Sequence, residues 1–83
     1  MQVQQKKFTL DINSYHIIRW DPKVQGEDDL RKMLADSLKK GAKRVAIIVK
    51  SDDVDYMVKA REVIAGFIAQ TIVIFKEKEV EIA

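Results

Sequence analysis

Gly41–Ala69, GAKRVAIIVKSDDVDYMVKAREVIAGFIA, decides the fold. Val45–Val49 is apolar at every position. A strand with one wet face would alternate, so this one is expected to be central in its sheet. Ser51 is the expected N-cap of a following helix, and Asp52, Asp53 and Asp55 supply the acid that a helix N-terminus favours. Val54, Met57, Val58, Ile64, Ala65 and Ile68 form one helical stripe, widened by Ala60 and Phe67. Gly66 within it costs up to about 1 kcal/mol against alanine, so it marks close packing or the approach to the helix end. Gly41 stands where a left-handed C-cap would close a preceding helix.

Upstream, Leu30, Met33, Leu34 and Leu38 recur at helical spacing, with Glu27, Asp28 and Asp29 in the first turn and Lys39 and Lys40 in the last. Both ends match the helix dipole. Before it, Tyr15–Trp20 is rich in β-branched and aromatic residues and reads as a strand that Asp21-Pro22 ends. Phe8, Leu10 and Ile12 alternate with Thr9 and Asp11 in a half-buried strand that Val3 extends, with Asn13-Ser14 as a hairpin turn. Downstream, Thr71–Phe75 is another apolar strand, Glu77-Lys78 turns the chain, and Val80 and Ile82 alternate with Glu79 and Glu81 in an edge strand.

The order is ββαβαββ. Strands joined through helices run parallel by right-handed crossovers, which puts both helices on one face. The expected fold is a single α/β (α+β) domain over residues 1–83, a two-layer sandwich of two helices on a mixed five-stranded sheet.

Composition narrows the functional classes. The 83 residues include no cysteine, so neither a disulfide nor a thiolate metal site supplements the core, and a reducing, cytoplasmic setting fits. MQVQQKKFTL has no long apolar run behind its lysines, unlike a secretory signal. No apolar run approaches the roughly 20 residues of a membrane span. Fifteen Lys and Arg against thirteen Asp and Glu leave +2, too small an excess to imply a nucleic-acid partner by itself.

The central strands carry apolar residues of both parities, so an apolar strip is expected on the face away from the helices. Strips of this kind mark partner surfaces, unless neighbouring Tyr, Lys and Arg stems cover them. Ala46, Ile48, Ile72 and Ile74 are the residues assigned to such an interface, and the partner expected is a second copy of the chain.

Val58-Lys59-Ala60, five residues, then Gly66-Phe67-Ile68-Ala69 resembles a helix motif of the Alba superfamily, which includes the stage V sporulation protein S. The element order from Tyr15 onward is similar too. The resemblance implies a dimeric, non-enzymatic nucleic-acid binder. It implies contacts from the loop before the first helix (Lys23), from the loop opening the second (Lys50, Ser51) and from a basic hairpin (Lys76, Lys78). The chain departs from that pattern with one lysine in the first loop, Asp52-Asp53 in the second and a short hairpin. The ββαβαββ order, the opening Gln2-Val3-Gln4 and Gly41-Ala42-Lys43-Arg44-Val45 also look like the first computationally designed novel α/β fold. That likeness implies the alternative, a scaffold with no evolved ligand.

Arg31, Lys32, Lys39, Lys40, Lys43 and Arg44 gather around the end of the first helix. They read as solvated charge matched to the dipole or as a phosphate-contacting patch. The nucleic-acid candidates are therefore Lys23, Lys39, Lys40, Lys43, Arg44, Lys50, Lys76 and Lys78, with Trp20 and Tyr15 as a base-stacking pair or as packing residues. His16 has no cysteine or spaced carboxylate beside it, and no metal or cofactor is expected. Asp52, Asp53 and Asp55 lack the glycine and closing glutamate of a calcium loop, so helix capping is favoured. No nucleophile elbow, phosphate-binding glycine loop or acid–base pair is visible, so an enzyme and a small-molecule substrate are not expected.

Overall fold

Residues 7–67 and 71–82 are described by the computed structural model. In chain order the elements are β1 (Phe8–Leu10), β2 (His16–Trp20), α1 (Glu27–Lys39), β3 (Arg44–Val49), α2 (Val54–Ile64), β4 (Thr71–Lys76), a 3-10 turn (Glu77–Glu79) and β5 (Val80–Ile82). The expected order ββαβαββ holds. The expected extensions through Val3 and Ile68 lie outside the described residues.

β2, β3 and β4 form an all-parallel sheet with β3 in the middle. α1 and α2 lie together on one face, where Leu30, Leu34, Met57, Ala60 and Val63 pack against Ile18, Trp20, Val45, Ile47 and Val49. This is the expected two-layer α/β body.

The single five-stranded mixed sheet is corrected. β1 and β5 pair parallel with each other, Phe8 with Val80 through Leu10 with Ile82, in a separate two-stranded ribbon. Leu10 and Val80 of this ribbon bury themselves against Ala46 and Ile48, on the sheet face away from the helices. Neither expected hairpin forms, because β1 does not pair with β2, nor β4 with β5. The turns exist but carry the chain from one sheet to the other. At Asn13-Ser14 the Asp11 carboxylate accepts from the Asn13 N–H (2.8 Å) and the Ser14 hydroxyl (3.3 Å).

Local chemistry sets the helix ends. Lys40 caps α1, and Gly41 follows at φ 93°. The Gly41 N–H donates to the Leu38 carbonyl (3.0 Å) and the Ala42 N–H to the Ser37 carbonyl (3.1 Å). This is the paired closure of a Schellman motif. At the start of α1, the Gly26 N–H donates to the Asp29 carboxylate at 2.9 Å. Glycine has no side chain to return that bond, so half of a capping box is present. The N-cap of α2 is Asp53, whose carboxylate accepts from the Asp55 N–H at 2.9 Å, and not Ser51, whose hydroxyl accepts from the Asp53 N–H at 3.1 Å. α2 stops at Ile64, so Gly66 lies just past its end.

Candidate nucleic-acid interface

Parallel strands order the polar surface into two ends. Lys43 and Arg44 precede or open β3, and Lys50 follows it. At about 3.3 Å per residue the two positions are roughly 20 Å apart. The eight basic candidates therefore divide. Lys23, Lys50, Lys76 and Lys78 follow or close strands at the carboxyl end of the sheet, and Lys39, Lys40, Lys43 and Arg44 lie at the amino end.

At the carboxyl end, Lys23, Lys50 and Lys78 line an open cleft of about 700 Å³ with Lys7, Ser51, Asp52, Asp53 and Glu77. Lys78 sits 3.4 Å from the Asp52 carboxylate, an exposed pair. Both helices begin here, and each N-terminus carries roughly half a positive charge. Against this stand six carboxylates in or just before the two first turns, Glu27, Asp28, Asp29, Asp52, Asp53 and Asp55. These carboxylates offset the two half dipoles and most of the lysine charge, so the cleft offers an incoming phosphate little net attraction.

Among the described residues the amino end has no carboxylate in the lining of its cleft. A second cleft of about 470 Å³ is lined by Ile12, Asn13, Ser14, Tyr15, His16, Ala42, Lys43 and Arg44. Lys39 and Lys40 close α1 beside it, and both are exposed, as are Lys43 and Arg44. Lys40 pairs with Asp36 at 2.9 Å on the helix surface. Lys39, Lys43 and Arg44 have no ion pair among the described residues. The negative end of the α1 dipole is muted here, because Gly41 and Ala42 take up the Leu38 and Ser37 carbonyls. Tyr15 is half-buried and His16 exposed, so two ring side chains stand beside the cations.

Trp20 does not join them. It is 1% exposed, its indole N–H donates to the Gly26 carbonyl at 3.2 Å, and its ring meets Tyr56 edge-on at 6.2 Å. It packs the core and offers no stacking surface to a base.

The four interface candidates do not share a face. Register pairs Val45 with Ile72 and Ile47 with Ile74, so Ile72 and Ile74 face the helices. Ala46 pairs with Val73 and Ile48 with Phe75, on the opposite face. Ala46 and Ile48 are buried there beneath β1 and β5. The apolar strip has a cover, and the chain's own end strands provide it.

Lys7 is the residue that sequence reasoning missed. It precedes β1, and only the pairing of β1 with β5 brings it to the carboxyl cleft. Among the described residues no cluster of three or more His, Asp or Glu is placed to hold a metal ion, and no helix is long and apolar enough to cross a membrane. Comparison with family models, curated proteins and solved structures found no match to this chain.

Proposed function

We propose that this chain is a non-enzymatic binding module that holds nucleic acid weakly through the amino end of its parallel sheet. The observation that carries this is the pair Lys43 and Arg44, unpaired among the described residues, lining one cleft with Tyr15 and His16, with exposed Lys39 at the end of α1. Cations fix a phosphate backbone in place, and neighbouring ring faces accept unpaired bases without sequence preference. Single strands are therefore favoured over duplex. The carboxyl end, with its acid-loaded helix starts, is left out of the interface.

The test is titration of labelled single-stranded RNA and duplex DNA at two salt concentrations. About four phosphate contacts to a single strand give a slope near −3, so affinity should fall roughly 50-fold between about 50 and about 200 mM salt. Lys43→Gln with Arg44→Gln should weaken binding and flatten that slope by about two contacts' worth. Lys23→Gln with Lys50→Gln should change neither. Absence of binding at low salt, or equal losses from both pairs of variants, would refute the assignment. The runner-up is a structural scaffold without a ligand, which predicts the first of those results.

A further inference from the structure

We propose that the outer edge of β4 pairs antiparallel with β4 of a second copy, joining two three-stranded sheets into one of six about a two-fold axis at Val73. β4 is hydrogen-bonded on one side only, to β3, among the described residues. The direction of its backbone follows from one bond. The Thr71 N–H donates to the Lys43 carbonyl at 3.3 Å, with Thr71 in register with Arg44. Thr71 thus turns its backbone groups toward β3. Backbone direction alternates along a strand, so Val73 and Phe75 do the same. Ile72, Ile74 and Lys76 present their N–H and C=O groups outward.

Among the described residues this edge has few of the devices that keep sheet edges apart. β4 has six residues, TIVIFK, with no proline or glycine and no charge between Thr71 and Phe75. Its side chains from Ile72 to Lys76 are all half-buried, unlike those of β3, where Val45–Val49 is fully buried. The opposite edge, β2, is blunted by exposed His16 and Arg19 and is followed at once by Asp21-Pro22. β1 and β5 are three residues each, and β5 carries Glu81. Charge, proline and brevity are the usual protections against edge pairing, and β4 has only Lys76 at its far end.

A second copy is the occupant because the strand is complementary to itself. A two-fold axis normal to the sheet keeps both helical layers on one side and demands that opposed residues share a face. The register centred on Val73 meets this demand. It sets Ile72 against the second copy's Ile74 twice, both outward-bonding residues that exchange N–H···O bonds, and sets Val73 against Val73. Apolar meets apolar on the helix face, and no charges are brought together. The next allowed register, centred on Ile74, opposes Lys76 to Ile72. The pairing centred on Val73 uses none of Lys39, Lys43 and Arg44, so the solution mass and the salt-dependent titration test the two assignments separately.

The chain has no cysteine, so a single introduced thiol reports the register. Light scattering on the unaltered chain at tens of micromolar should return twice the 9.6 kDa of one chain. Val73→Cys falls on a non-hydrogen-bonded pair with Cα atoms about 4.5 Å apart, within disulfide reach. Under oxidised glutathione it should form a covalent dimer about 100-fold faster than exposed His16→Cys, because the paired thiols see a millimolar effective concentration. Circular dichroism checks that both variants are folded. A one-chain mass, equal cross-linking of the two variants, or open-ended aggregates in place of a dimer would each overturn the pairing.

Discussion

The Phe8 ring stacks on Phe75 with centroids 5.1 Å apart and planes at 19°, although the two residues belong to different sheets. The contact ties the first described strand to the last strand of the parallel sheet. Beneath the same ribbon Leu10 is 1% exposed, whereas Phe8 is 56% exposed.

That difference separates two truncations of β1. Leu10→Ala empties a closed site and should cost about 2–5 kcal/mol. Phe8→Ala loses a half-wet aromatic pair and should cost about 1–2 kcal/mol. Urea unfolding of both variants checks the order. Equal losses would mean that the ribbon is not seated on the sheet.

Ile48→Lys distinguishes a covered face from an interface. Ile48 is 2% exposed, between β3 and the ribbon. A lysine there must bury its charge or expel the ribbon, and either cost consumes much of the about 4–12 kcal/mol expected for a domain of this size. The variant should lose its cooperative thermal transition by circular dichroism. A folded monomer with full stability would restore the idea that this face is an interface between chains.

Two glycines should respond differently to alanine. Gly41 has nothing within 4 Å of an added Cβ, but its φ of 93° is a left-handed conformation that alanine resists. Gly41→Ala should therefore cost about 1 kcal/mol through the backbone alone. At Gly66 the added Cβ meets the Val63 carbonyl at 3.4 Å, ordinary contact. Gly66→Ala should stay within about 0.5 kcal/mol of the parent. Thermal melts of the two variants side by side decide it.

Gly41 shows what was legible in the sequence. A helix of clear period, acidic at one end and basic at the other, followed by glycine has one local solution, and the Schellman closure is that solution. Val45–Val49 was equally plain as a central strand apolar on both faces, with the face away from the helices expected to meet a second copy. The nature of the second cover was not. It is built from two three-residue strands far apart in the chain, and their pairing with each other has no local signal. Alternation in Phe8-Thr9-Leu10 reads the same whether the strand joins the main sheet or lies across it. The parity of β4 against β3 was hidden for a like reason, since both strands are apolar at nearly every position and only register separates Ile72 from Val73. The division of the basic residues could be seen earlier, because Lys43 and Lys50 flank one strand and must lie at opposite ends of it. The acid around the carboxyl-end lysines was visible too, in Asp52-Asp53. What the fold added was the gathering of both helix starts at that same end.

Trp20 provides a built-in reporter for the loop that closes β2. It is the only tryptophan, almost fully buried, with its indole N–H on the Gly26 carbonyl. Asp21 shapes the intervening loop, its carbonyl accepting from the Val24 and Gln25 N–H groups and its own N–H donating to the Gln25 side chain at 2.9 Å. Trp20→Phe keeps the apolar body, leaves a void and removes the donor. Gly26 then has a carbonyl that has lost its indole partner just where α1 begins. The expected cost is about 2–3 kcal/mol, the sum of a partial cavity and an unmade hydrogen bond. Gln25→Ala removes one side-chain acceptor of the loop, leaves the Asp21 carboxylate on the Lys23 N–H, and should cost about 1 kcal/mol, with the Trp20 emission still blue-shifted. Acrylamide quenching of the parent provides the complementary check. Emission that is quenched as readily as free tryptophan would place the indole in water and undo the packing of α1 on the sheet.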